Sequence, residues 1–154
     1  MIPLFKKLNY KLQPVIISVN HPDSFLSELQ AMSQTATIVD GLTKSKDIAF
    51  VLVFATKQKE VDKAAEQIAK KATEDAVIWF CYPKGTSKKY SCEFNRDTGW
   101  VKLGELGYEP VRTVAIDEDW SALRFRKAEK IKTMTRSFAM TEVGKKKVAA
   151  SKKK

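Results

Sequence analysis

The run Ile48-Ala49-Phe50-Val51-Leu52-Val53-Phe54 constrains this chain more than any other stretch. Its consecutive apolar residues leave no polar face to turn toward water. A strand of this kind must be covered on both sides, the condition of a central parallel strand with helices above and below it. Shorter apolar runs repeat the theme at Val15-Ile16-Ile17-Ser18-Val19, at Thr37-Ile38-Val39 before Asp40-Gly41, and over 76–82. Between them, Phe25, Leu26, Leu29 and Met32 recur at helical spacing. Val61, Ala64, Ala65, Ile68 and Ala72 make a single stripe whose opposite face is charged and solvated. Thr56 stands where it would cap that helix.

Further on, Trp100, Leu103 and Leu106 predict a short helix ended by Gly107. Strands follow over 111–116 and 122–126. The connection between them is too short for a crossover, so the last strand must return antiparallel. This order predicts an α/β fold: a three-layer, doubly wound, mostly parallel sheet of about six strands with an antiparallel last strand.

Charge divides the chain. Of its 28 basic and 18 acidic residues, ten basic and two acidic fall within 127–154. The remainder, 18 against 16, is nearly neutral, so the net charge of +10 belongs mostly to the end of the chain. We expect one α/β domain over 1–128 and a basic tail over 129–154. The triplets Lys145-Lys146-Lys147 and Lys152-Lys153-Lys154 suit weak, nonspecific contact with a polyanion, because each phosphate neutralised releases counterions and nothing in the segment reads a base. No stretch is long and apolar enough for a membrane span. The start lacks the apolar core of a signal peptide, and two cysteines make no disulfide framework, so a cytoplasmic setting is expected.

Several chemistries find no support. Tyr82-Pro83-Lys84-Gly85-Thr86-Ser87 has the composition of a phosphate loop, but Pro83 removes an N–H and the second glycine is missing. A metal site is not expected, since His21 is the sole histidine and Cys81 and Cys92 lack ligand spacing. No cofactor is expected, and no catalytic residue is assigned. Trp100 and Trp120 read as core anchors, and Arg112, Arg124 and Arg126 as partners for Asp117 or Asp119.

The element order, with its late strand doubling back after Asp119-Trp120, resembles the Rossmann-type methyltransferase fold. That resemblance implies a Gly-x-Gly-like turn after the first strand. Here the turn reads Asn20-His21-Pro22-Asp23-Ser24, where Cβ atoms and the Pro22 ring stand in the way of a cofactor. A second resemblance is carried by Trp79, Tyr82-Pro83-Lys84, Arg96-Asp97, Gly99-Trp100, Gly107, Pro110-Val111, Ala115-Ile116-Asp117 and the run 120–126. Residues 78–126 look like a widespread bacterial family of small proteins known only as a domain of unknown function. It implies the fold and no activity.

In an open parallel sheet, ligands sit beyond the carboxyl ends of the strands. One reading therefore gathers Lys84, Arg96, Asp97, Asn20, His21 and Thr56 at that rim, around a small anionic ligand or a macromolecular partner, without catalysis. The plain alternative has Arg96 and Asp97 capping the helix that follows, with Lys84 solvated. Another reading is a divergent methyltransferase-like enzyme in which Asp23 or Asp40 meets a ribose. The last is a nucleic-acid binder driven by the lysine-rich tail.

Overall fold

The computed structural model describes residues 3–43, 46–94 and 98–128. The chain runs α1 (Pro3–Lys7), β1 (Val15–Val19), a 3₁₀ turn (Asp23–Phe25) continuing into α2 (Leu26–Met32), β2 (Thr37–Asp40), β3 (Ile48–Phe54) and α3 (Gln58–Lys71). It then continues through β4 (Ala72–Pro83), α4 (Val101–Glu105), β5 (Tyr108–Ala115) and β6 (Trp120–Lys127). The strands form one sheet in the order β2-β1-β3-β4-β6-β5. β1, β2, β3 and β4 pair parallel; β6 is antiparallel to both its neighbours. The expected α/β class, mostly parallel sheet and antiparallel last strand are all present.

The apolar run that opens the argument is β3, and its two faces feed two separate cores. Phe50, Leu52 and Phe54 join Phe5, Leu8, Phe25, Leu29 and Met32 beneath α1 and α2. Val51 and Val53 join Val61, Ala65 and Ile68 of α3, together with Phe80 and Trp100. Successive side chains of a strand point to opposite faces. A strand sandwiched this way needs an apolar residue at every position, and each fully buried one contributes about 1.5–3 kcal/mol.

One predicted element shifts. The helical stripe ends at Ile68: Ala72 closes α3 in extended conformation and begins β4, so it is no part of the helix. β6 lies inside the sheet and β5 forms the edge. Pro110, which has no N–H to give to a ladder, suits an edge strand. The segment 129–154, expected to be a basic tail, lies outside the described residues.

Candidate functional site

The winding of the chain sets where a ligand would enter. From β1 the chain passes through α2 to β2 on one side. The β2–β3 connection returns across β1, and from β3 it passes through α3 to β4 on the other. The connections leave the β1–β3 junction in opposite directions, and at such a switch point the carboxyl ends of the strands frame a crevice.

A crevice of about 640 Å³ opens there. Val19 and Asn20 come from the end of β1, Val53 from β3, Gly41 and Leu42 from the turn after β2, and Lys59, Glu60, Lys63 and Ala64 from α3. Its exposed surface is mostly apolar, and its polar groups are Asn20, Thr43 and the side chains of α3. The size is that of a small-molecule site.

Asn20 takes the place of a glycine in the turn after β1. Its backbone sits at φ 57°, in the left-handed region that glycine usually supplies. Asparagine tolerates that region better than most residues because its short amide can bond locally. The turn after β1 thus takes the left-handed step without a glycine. Its amide Nδ2 meets Glu60 Oε2 at 3.5 Å, a long contact across the mouth of the crevice.

A second crevice, of about 790 Å³, lies beyond β4 and is lined by Tyr82, Lys84, Ser87, Cys92, Thr98, Thr113 and Ser121 among others. Its loop is held by local bonds. Lys84 donates its N–H to the Asp119 carbonyl at 2.8 Å, and Ser87 Oγ donates to Asp119 Oδ1 at 2.9 Å. Burial raises the Cys92 thiol, with nearby Glu93 and Glu60 adding to the effect against backbone hydrogen bonds that lower it. It is therefore a poorer nucleophile than a free cysteine.

The structure divides the rim residues grouped by sequence. Asn20 belongs to the switch-point crevice and Lys84 to the second one. Arg96 and Asp97 lie outside the described residues. His21 lines neither crevice; its Nδ1 is 3.0 Å from Ser18 Oγ, and Ser18 is fully buried in β1, so that hydroxyl is closed to any substrate. Asp23, exposed at the start of the 3₁₀ turn, stays away from both crevices. Asp40 is exposed at the end of β2, directly before the lining residue Gly41.

Thr56 does not cap α3. That task falls to Glu60, whose Oε1 accepts the N–H groups of Thr56 and Lys57, both at 3.1 Å. Glu93 reaches in from the later loop, its Oε2 accepting the Gln58 N–H at 2.8 Å. The positive end of α3 is thereby filled by two carboxylates of the chain itself, so it is no cradle for an external anion. α4 is a helix of only five residues, too short to offer a terminus for an anion. Capping by a glutamate in the third helical position is a pattern readable in sequence, whereas the Glu93 contact is not.

Both tryptophans are core residues as expected. Trp100 packs among Phe80, Tyr82, Phe94 and Phe125, and Trp120 lies against Phe54 and Tyr90. The expected pairing of the arginines with Asp117 or Asp119 does not occur. Asp117 Oδ1 accepts the N–H groups of Asp119 and Trp120, and Asp119 Oδ1 is held by Ser87.

No helix among the described residues is long and apolar enough to cross a membrane. No protein-family model matches the chain, and no curated protein matches it either. Among solved structures it is similar to the ribosomal protein L11 methylase from Lactobacillus delbrueckii subsp. bulgaricus, at 10% identity and a TM-score of 0.51, over 80% of this chain and 76% of that one. It is also similar to the mitomycin 7-O-methyltransferase MmcR, at 9% identity and a TM-score of 0.50, over 77% of this chain and 50% of that one. These likenesses show a methyltransferase-type fold. They lend nothing to the resemblance of residues 78–126 to the family of unknown function.

Proposed function

We propose that this protein binds a nucleoside-bearing ligand of the S-adenosylmethionine class in the switch-point crevice, as a divergent methyltransferase-like protein. The observation that carries the reading is the left-handed Asn20 at the mouth of an apolar crevice between the ends of β1 and β3. It gives the chain the turn that the glycine-rich loop would otherwise provide. The fold itself supports this reading only as architecture, since one architecture hosts many activities.

The residues fit a nucleoside. Val19, Leu42 and Val53 offer apolar surface to a planar ring. Asp40, at the end of β2, stands where a carboxylate meets ribose hydroxyls in nucleotide-binding sheets. Asn20 would exchange its long contact with Glu60 for a contact to the ligand. S-adenosylmethionine, when bound, supplies an electrophilic methyl group. The chain's own part is then to hold the ligand and leave the methyl-bearing end open toward the rim, because orientation alone supplies much of the acceleration of such a transfer.

A second reading is supported by the polar crevice beyond β4. There Lys84 stands among the hydroxyls of Ser87, Thr98, Thr113 and Ser121, and the chain would be a non-catalytic cytoplasmic protein binding a small anion or a partner. Thermal shift and calorimetry on the full chain separate the two, with S-adenosylmethionine, its demethylated product, adenosine and inorganic phosphate as probes. Ligand at about 100 times Kd stabilises by roughly 2.7 kcal/mol, several degrees for a chain of this size. The nucleoside reading expects that shift with the adenosyl compounds, reduced in Asp40→Ala and abolished in Leu42→Trp. A shift with phosphate alone that disappears in Lys84→Ala overturns it in favour of the second reading.

A further inference from the structure

Away from both crevices, the β5–β6 half of the sheet presents three arginines on one face. Arg112 and Arg124 are direct cross-strand partners, so their side chains share a face. Arg126 lies two residues along β6 from Arg124, on the same face and about 7 Å further along the strand. Arg112 is exposed, and Arg124 and Arg126 are half-buried. None of the three has an ion-pair partner among the described residues. The Nε of Arg124 is buried without a hydrogen-bond partner.

Such crowding has an electrostatic cost. Burial lowers the Arg124 guanidinium below its ordinary value, and the positive charges of Arg126 and Arg112 lower it further, with no carboxylate acting against them. Acidic groups do border the patch. Glu109, cross-strand from Arg126, is fully buried and makes contacts of its own, and Glu74 and Asp75 share a small recess with Arg126. The two carboxylates whose bonds are seen in the β5–β6 connection, Asp117 and Asp119, are engaged within that turn and its neighbouring loop.

The basic surface extends beyond the three. Trp79 is the cross-strand partner of Arg124, and its Nε1 donates to the Leu8 carbonyl at 2.8 Å. The end of α1 therefore borders the patch, and it carries exposed Lys6 and Lys7. In sequence, nine of the chain's 28 basic residues follow β6. Arginine forks grip phosphate oxygens two at a time, which lysine cannot do.

We propose that Arg112, Arg124 and Arg126 form a contact for the phosphate backbone of a nucleic acid. A nucleic acid suits the patch better than an anionic membrane. On the arginine face of β5 and β6 the apolar residues are Val114, Trp120 and Ala122, all buried, so these strands offer no large apolar side chain to insert among lipids. Nothing in the patch reads a base, so binding depends on charge and not on sequence.

The test measures binding of a fluorescein-labelled single-stranded RNA to the full chain by anisotropy, over roughly 50–200 mM salt. The Arg112→Gln/Arg126→Gln variant spares the half-buried Arg124 between them, and a thermal melt checks that it folds. Lys152→Gln/Lys153→Gln removes the same number of charges from the end of the chain. The slope of log K against log salt should flatten by about 0.7 for each lost phosphate contact, so by about 1.4 in the arginine variant and by less in the lysine variant. An unchanged slope in the folded arginine variant overturns the proposal. Equal losses in the two variants also overturn it, since net charge alone would then explain them. Binding of phosphatidylcholine vesicles containing phosphatidylserine that falls in the arginine variant, while RNA binding does not, overturns it in favour of a membrane surface.

Discussion

The two halves of the sheet are built to different rules. In the parallel half, β3 and the carboxyl-terminal part of β4 are apolar at nearly every position and covered on both faces. In the antiparallel half, β6 alternates: Leu123 and Phe125 join the core under α3 and α4, while Arg124 and Arg126 occupy the opposite face. β5 goes further, with Arg112, Thr113 and Ala115 exposed along the edge of the sheet. Cover, more than strand direction, separates what each half can do. The covered half holds the fold and leaves only its strand ends for a ligand. The half-covered one keeps a charged face that the fold does not use.

The sharpest way to break this comparison is to remove one large side chain from each half. Trp79 in β4 is fully buried and its indole N–H satisfies the Leu8 carbonyl. Trp79→Ala should cost about 3–5 kcal/mol through the cavity it leaves, with the freed carbonyl adding to it. Val114 in β5 is buried near the edge, and Val114→Ala removes only two methyl groups, worth about 1.5 kcal/mol. Chemical denaturation measures both. Equal losses would mean that the edge half carries as much of the stability as the centre.

A pair of glycines sharpens the comparison at the joint between the halves. Gly99 and Gly107 both have strongly positive φ, 94° and 92°. A Cβ on Gly99 would lie 2.4 Å from Phe94 Cβ and 3.0 Å from Gln58 Oε1, whereas one on Gly107 meets nothing within 4 Å. Gly107→Ala should therefore incur only backbone strain, about 1–3 kcal/mol. Gly99→Ala adds a collision of about 1–3 kcal/mol and disturbs the Gln58 Nε2 bond to the Gly99 carbonyl, which ties the later loop to α3. Melts of the two variants should differ by several degrees, and identical melts would show that the loop gives way at no cost.

What was legible in the sequence follows the range of the interaction. β3 was readable residue for residue because its signal is contained in seven neighbours. The stripe of α3 was readable because its period is local, although Ala72 continued the period after the backbone had turned into β4. The candidate site was less legible. Glu93 fills the start of α3 from 35 residues away. Asn20 and Lys84, grouped by sequence, fall in separate crevices because α3 and the later loop stand between the strand ends. The arginine face depends on the register of β5 against β6, shifted by an irregularity between Pro110 and Arg112, and no local pattern encodes that alignment.

The smallest expected effect concerns the ion pair that joins the halves directly. Lys102 of α4, partly exposed, approaches the exposed Glu66 of α3 at 3.0 Å. Its hydrogen bond and charge hold Glu66 below the ordinary carboxylate range, and Glu66 in turn holds Lys102 above the ordinary lysine range. A carboxylate lowered by folding stabilises above its unfolded value and loses that contribution as pH falls through its folded one. A lysine raised by folding does the reverse, losing its contribution as pH rises through its folded value. The pair should therefore stabilise the protein on a plateau between those two ranges and fade toward acid and toward strong base. Exposure and salt keep the gain small. Lys102→Met should lower the melting temperature slightly at neutral pH in dilute buffer, less in high salt, and not at all once Glu66 is protonated. If instead the loss persists unchanged at acid pH and high salt, the contact between α3 and α4 rests on packing of the lysine stem.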